Sequence, residues 1–206
     1  MILNPSNDLT RSDWNIIEPF ITPHSKVLDL GCGDGSLLEL LRDKKKILAR
    51  GVDINPANIL SCIQKGISVF QSDLDEGLSD YGDEAFDFVI LSLTLQVVYE
   101  PKMLLKEMLR VGKKAIVSIP NFGHWSLRSR MFFFGQSIKS KHLPYEWYDT
   151  PNIRVITVKD FMNLCKHMNV KIESLGHTTL SRTIVESFFA ERMPNLFSQV
   201  SVFLLS

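Results

Sequence analysis

The chain has 206 residues, enough for one domain with a full apolar core. Lys+Arg and Asp+Glu are both 23, and the zero formal net charge argues against non-specific binding to nucleic acid or to an anionic membrane. No apolar run reaches the roughly 18 residues of a membrane span.

The N-terminal stretch MILNPSNDLTRSDWN has no basic start followed by an apolar core, so no secretory leader is expected. Cys32, Cys62 and Cys165 are odd in number and far apart in sequence. They predict neither a disulfide framework nor a zinc site, and they point to a reducing cytoplasm.

Strand and helix then alternate along the chain, the pattern of a parallel sheet covered by helices. DWNIIEPFI predicts an opening amphipathic helix with Trp14, Ile17 and Ile21 on one face. KVLDL is a short buried strand, SLLELLRD a helix and ILARGVDI a second strand. In NPANILSCIQKG, Asn55 suits a helix N-cap, Pro56 the first helical position and Gly66 the C-terminal cap. ISVFQSD reads as the third strand. FDFVILSL, nearly all apolar, reads as a central parallel strand. PKMLLKEMLRVG is a helix opened by Pro101 and closed by Gly112, with Leu104, Met108 and Val111 on one face; KAIVSIP is the fifth strand.

Residues 121–152 break this rhythm. They are rich in aromatic residues and turn formers without a clean period, and are expected to be irregular. Regular structure resumes at TVKDFMNLCKHM, where Thr157 and Asp160 form a capping-box pattern. VKIESLGHTTL and PNLFSQVSVFLLS predict two last strands with no helix between them, a hairpin-like pair that closes a doubly wound sheet.

The loop Asp29-Leu-Gly31-Cys-Gly33-Asp-Gly35 follows a strand and opens a helix, the context that gives a glycine motif meaning. The dinucleotide pattern G-x-G-x-x-G seats a pyrophosphate on the helix N-terminus. Here the third glycine comes one residue early, and Asp29 and Asp34 would repel a pyrophosphate but attract a cation. S-adenosylmethionine, with a sulfonium and an ammonium group, is such a ligand. Asp53 ends the second strand at about the offset of a ribose-binding acid. Asp73, beyond the third strand, is placed to accept from an adenine amino group. Each acid alone also reads as an ordinary loop carboxylate, and the glycine loop alone as a tight turn; three matching strand ends together favour the ligand.

VLDLGCGDGSLLELL, DLDEGL, FDFVIL with LQVV, EMLRVG, PNFGHW and LPYEWYDTPNIRVITVKDF resemble the methionine-biosynthesis MetW family, which is similar to class I methyltransferases. The resemblance covers roughly residues 10–168, and PNFGHW and WYDTPNIR are its most specific parts. It implies a Rossmann-like α/β class I methyltransferase fold in a single domain, residues 1–206. The sheet would be doubly wound, mostly parallel and seven-stranded, with an antiparallel last strand. It implies that S-adenosylmethionine or S-adenosylhomocysteine, and no metal, is held by Asp29, Gly31, Gly33, Gly35, Asp53, Ile54, Asp73, Leu74 and Ser92. It implies a partner, homoserine O-acyltransferase.

Two functions remain open on these residues. One is methyl transfer to a small acceptor, for which alignment alone can supply roughly 7–11 kcal/mol of the barrier. His124, Glu146 and Tyr148 are the acid–base candidates, each with a bland alternative as a structural histidine, a solvated acid or a packed ring. LSLTLQ after the fourth strand excludes an Asn-Pro-Pro-Tyr type of acceptor motif. The other function is an accessory subunit of the acyltransferase. Its contact region would be the aromatic block, where Phe122, Trp125, Phe132, Phe133, Phe134, Tyr145, Trp147 and Tyr148 are interleaved with Arg128 and Arg130. The same block could be a lid over the pocket.

Overall fold

The computed structural model describes residues 12–137, 139, 146–179 and 184–206. Tyr145 and residues 1–11 lie outside the described residues.

The first half keeps the alternation predicted for it. Helix α1 spans Trp14–Phe20, strand β1 Lys26–Leu30, α2 Ser36–Lys45, β2 Leu48–Asp53, α3 Pro56–Gln64 and β3 Ser68–Gln71. After a 3₁₀ turn at Leu74–Glu76 come β4, Phe86–Ser92, and a second such turn at Leu95–Val97. Helix α4, Pro101–Val111, leads directly into β5, Gly112–Pro120. The caps follow the local chemistry. Asn55 accepts from the Ala57 amide ahead of Pro56, and Gly66 takes a left-handed φ of 67° just past α3.

The second half holds α5 (Trp125–Phe134), α6 (Val158–His167), β6 (Ile172–Thr178), α7 (Ile184–Arg192), α8 (Pro194–Phe197) and β7 (Val200–Leu205). Thr157 and Asp160 close a reciprocal capping box at the start of α6. Two expectations are corrected here. The aromatic block is not irregular throughout, because α5 is capped at both ends, by the His124 ring at its start and by Gly135 at φ 60° after it. Nor are the last two strands joined without a helix. α7 and α8 intervene, and Pro194, fitted to a first helical turn, makes PNLF helical rather than extended.

The seven strands form one sheet in the order β3-β2-β1-β4-β5-β7-β6. β1 to β5 pair in parallel, and β7 runs antiparallel to both β5 and β6. The predicted α/β class, the strand number and the single reversed last strand all hold. Alternating side chains feed two cores. Val27, Phe88, Ile90, Ile116 and Val202 pack under α1, α2 and α3 with Ile17, Ile21, Leu38 and Cys62. Leu28, Leu30, Val89, Leu91 and Val117 pack on the other face with Leu104, Met108 and Phe161 of α4 and α6. Chain direction across the sheet reverses between β1 and β4, so the crevice at their carboxyl ends is the position where ligands sit in open α/β sheets. Among the described residues no helix is long and apolar enough to cross a membrane.

Candidate functional site

The carboxyl edge of the sheet gathers the predicted residues in spatial order. Asp73 follows β3, Asp53 ends β2, the glycine loop follows β1 and Ser92 ends β4. The loop turns sharply because the Gly31 and Cys32 amides both donate to the Val52 carbonyl, at 2.8 and 3.0 Å. Gly33 has φ 56°, and a Cβ built there would meet nothing within 4 Å. Its backbone therefore borders open space that a ligand can fill. Gly35, at φ 78°, is required for another reason. A Cβ there would lie 2.8 Å from Cys62 Sγ and 2.9 Å from Ile67 Cδ1, so glycine permits the close approach of the loop to α3.

Asp53 is almost fully buried and accepts three hydrogen bonds. Oδ2 receives the Gly33 amide at 2.8 Å; Oδ1 receives the Asn55 amide at 2.9 Å and Asn58 Nδ2 at 3.1 Å. A carboxylate offers about four acceptor sites, so one remains for a ribose hydroxyl. Ile54 beside it is exposed, with its carbonyl accepting from Gln71 Nε2 at 3.1 Å. Asp73 caps the 3₁₀ turn through Oδ1, which accepts the Asp75 amide at 3.0 Å. That leaves Oδ2 for a ligand, and Leu74 opens the turn itself with its side chain against the core. Asp29 is buried in β1.

Asp34, expected to attract a cationic ligand, is paired with local partners instead. Its carboxylate accepts from Ser36 Oγ at 2.6 Å and pairs with Lys65 Nζ at 3.1 Å. Burial alone would raise its pKa, but those bonds hold it below the usual value. Asp34 thus accepts the Ser36 amide at the start of α2 and ties that helix to α3, and the acidic character of the edge comes from Asp29, Asp53 and Asp73.

The end of β4 is more elaborate than its sequence suggested. Ser92 is buried and donates to Asp13 Oδ2 at 2.7 Å. Ser118, its register partner in β5, donates to the same oxygen at 2.9 Å. Leu93 then adopts φ 50°, which costs a residue with a side chain about 1–2 kcal/mol. The strain is held by the Leu93 amide, which donates to Ser118 Oγ at 3.0 Å, and by its carbonyl, which accepts from Gln96 Nε2 at 2.5 Å. The motif WYDTPNIR passes close by. The Ile153 and Arg154 amides donate to the Gln96 carbonyl at 3.0 and 3.1 Å, and the Arg154 guanidinium reaches the Tyr99 carbonyl at 2.5 Å.

No hydrogen bond among the described residues links His124, Glu146 and Tyr148. His124 is buried and caps α5, with Nδ1 2.7 Å from Ser126 Oγ and accepting the Ser126 amide at 3.3 Å. Glu146 pairs with Lys139 through a short contact. Tyr148 is 70% exposed and packs edge-on against Trp147. The motif PNFGHW has a structural use. Asn121 donates to the Ser198 carbonyl at 2.8 Å and accepts from the Gly123 amide at 2.9 Å, bolting the end of β5 to α8. Arg128 braces the same corner from α5, donating to the Gly123 carbonyl at 2.5 Å.

That corner holds out a helix with an unusual surface. Leu127 is the single buried side chain of α5, while Phe132, Phe133 and Phe134 are 83%, 73% and 73% exposed and Trp125 and Met131 are exposed as well. The described residues contain no group of three or more His, Cys, Asp or Glu that could hold a metal ion. Cys32 and Cys62, distant in sequence, meet with sulfurs 3.8 Å apart under the glycine loop. Burial pushes both thiols up, which makes them poor nucleophiles.

Comparison with known proteins adds three findings. The sequence model of the family described as methionine biosynthesis protein MetW matches residues 11–205. The chain is 39% identical over 178 residues to a Rhodopirellula baltica protein named bifunctional methionine biosynthesis protein MetXA/MetW, covering 82% of this chain and 29% of that protein. The chain thus spans less than a third of that relative's length. Among solved structures it is similar to a SAM-dependent methyltransferase, possible histamine N-methyltransferase, of Thermotoga maritima (TM-score 0.66, 18% identity, 94% of this chain and 87% of that one). It is also similar to the (4+2)-cyclase SpnF (TM-score 0.63, 13% identity, 93% of this chain and 79% of that one). At such identities the likeness is one of fold, and the second case carries a name other than methyltransferase.

Proposed function

The chain belongs to the MetW family of methionine biosynthesis proteins, and on that premise we propose that it is an S-adenosylmethionine-binding subunit that works with homoserine O-acyltransferase. The observation that carries this reading is the relative in which MetXA and MetW are named in one polypeptide. Fusion places two partners at high effective concentration, which favours pairs that touch. We read MetXA as the acyltransferase that the family resemblance implies.

The exposed aromatic helix α5 supplies the contact surface. Burying a phenylalanine side chain contributes roughly 1.5–3 kcal/mol, so the three at the end of α5 are a substantial exposed apolar surface. Arg128 and Arg130 frame it with residue types common at interface centres.

The cofactor seat is the carboxyl edge. Asp73 and Leu74 would hold the adenine, Asp53 and Ile54 the ribose, and the backbone of Gly31–Gly35 the sulfur, with Asp29 and Ser92 toward the amino-acid end. S-adenosylmethionine supplies an electrophilic methyl group, and S-adenosylhomocysteine fits the same contacts without it. Because the cofactor derives from the pathway's product, occupancy could tune the acyltransferase, provided that it favours one conformation of the contact surface. The three free cysteines suit a cytoplasmic location.

A second reading, methyl transfer to a small acceptor, uses the same cofactor seat and is supported by the likeness in fold to a structure described as a SAM-dependent methyltransferase, possible histamine N-methyltransferase. Size-exclusion chromatography of the chain with the same organism's acyltransferase tests the first reading. Co-elution supports it. Separate elution, together with S-adenosylhomocysteine release in the presence of small acceptors, would favour the second.

A further inference from the structure

Cys32 and Cys62 stand 30 residues apart in sequence and meet with their Sγ atoms 3.8 Å apart. Cys32 belongs to the glycine loop and is 6% exposed; Cys62 is the buried residue of α3. Two glycines make the slot that the sulfurs share. A Cβ on Gly51 would lie 2.6 Å from Cys32 Sγ, and one on Gly35 would lie 2.8 Å from Cys62 Sγ. The cofactor reading uses neither thiol.

Gly33 lies over the pair. Its carbonyl oxygen is 3.8 Å from Cys32 Sγ and 3.4 Å from Cys62 Sγ, while a Cβ built on it meets nothing within 4 Å. One residue without a side chain therefore stands between the two sulfurs and the open space of the cofactor seat. Its amide is held by Asp53 Oδ2 at 2.8 Å. Gly31, Gly33 and Gly35 all have positive φ, and such a chain of glycines can lift. Burial keeps both thiols protonated, so they stay unreactive while Gly33 is down.

We propose that Cys32 and Cys62 are a redox pair whose disulfide shuts the cofactor seat, an inference that rests on the cofactor reading above. The oxidant is a hydroperoxide, small enough to enter the open space beside Gly33. When the loop lifts, the Cys32 sulfur gives up its proton and attacks one peroxide oxygen. The O–O bond breaks, and the leaving oxygen takes a proton to become water or an alcohol. The Cys62 sulfur then attacks the sulfenic acid on Cys32. The S–S bond forms, the S–O bond breaks, and the hydroxide leaves as water with the Cys62 proton. Two thiols are oxidised by one peroxide, and a dithiol reverses the bond.

The bond draws the sulfurs from 3.8 Å to about 2.05 Å. The shift falls on the loop, because Cys32 sits between two glycines and Cys62 within a helix. It pulls on the Cys32 amide bonded to the Val52 carbonyl and on the Gly33 amide bonded to Asp53, two contacts that shape the seat. A bound ligand does the opposite: it covers Gly33 and keeps the loop down. Ligand binding and disulfide formation therefore oppose each other, by the same factor at equilibrium.

The test treats the chain with hydrogen peroxide and compares it with the reduced chain. Peptide mass mapping without reductant should find Cys32 joined to Cys62 and Cys165 free. Calorimetry should find S-adenosylhomocysteine binding weakened more than tenfold and restored by dithiothreitol. Saturating S-adenosylhomocysteine during treatment should slow bond formation at least tenfold. Cys62→Ala should keep its affinity through the same treatment. Absence of the Cys32–Cys62 bond overturns the proposal, and so does a bond that leaves affinity unchanged. Both are read on wild type, so neither depends on how the variant folds. Failure of the reduced chain to bind S-adenosylhomocysteine overturns the cofactor reading and the proposal with it, whereas normal binding by the reduced chain with no effect of oxidation overturns the proposal alone.

Discussion

The amide of Gly33 donates to Asp53 Oδ2 at 2.8 Å, so the carboxylate placed to meet a ribose also fastens the glycine loop. Both carboxylate oxygens are in use, one by Gly33 and the other by Asn55 and Asn58. Asparagine has a single acceptor oxygen and would turn its amide group against one of these donors. Asp53→Asn should therefore behave almost as badly as Asp53→Ala. Each should cost about 1.5–3 kcal/mol of stability and abolish S-adenosylhomocysteine binding in calorimetry. Unchanged affinity in either variant would contradict the role of Asp53.

The loop glycines separate folding from binding. Gly33→Ala places a Cβ in open space, so its stability cost is the left-handed backbone alone, about 1–2 kcal/mol. The same Cβ intrudes where the ligand sits, and affinity should fall more than tenfold. Gly35→Ala drives a Cβ against Cys62 and Ile67, and overpacking adds about 1–3 kcal/mol to the backbone cost. Thermal unfolding should rank Gly35→Ala clearly below Gly33→Ala.

Phe132, Phe133 and Phe134 project from α5 into solvent. Replacing all three with serine should leave the melting temperature nearly unchanged, because little packing is lost. The same variant should lose co-elution with the acyltransferase. A marked drop in melting temperature would show instead that these rings belong to the fold.

His177 provides a pH signature. Burial lowers its pKa from 6.5 to about 4, while Nδ1 lies 2.9 Å from Ser201 Oγ. The folded state therefore keeps it neutral where the unfolded chain takes up a proton. Stability contributed by this site is complete above pH 6.5 and declines as pH falls toward about 4, with a slope of at most about 1.4 kcal/mol per pH unit. His177→Gln should flatten that part of the curve in denaturant titrations at a series of pH values.

The sequence revealed the sheet because buried parallel strands read as short apolar runs, and its helices because Asn55, Pro101 and Thr157 announce their starts. α5 stayed hidden because Trp125, Leu127 and Phe132–Phe134 follow no helical period; they serve different surfaces rather than one core. α7 stayed hidden for a similar reason, since its apolar residues come in adjacent pairs. The positions of Asp53 at the end of β2 and Asp73 beyond β3 were legible because the apolar runs of the strands fix where they end. Asp13 was not, since its contacts with Ser92 and Ser118 span 79 and 105 residues, and its local sequence announces only a helix start. The proximity of Cys32 and Cys62 depended in the same way on how α3 packs against the loop.

The central claim is that this chain assists an acyltransferase, and the acyl-transfer rate of that enzyme tests it most directly. The same organism's homoserine O-acyltransferase would be purified and assayed alone and with an equimolar amount of this chain. A rate increase of at least tenfold that saturates near one-to-one stoichiometry is expected. An unchanged rate at saturating amounts of this chain would contradict it.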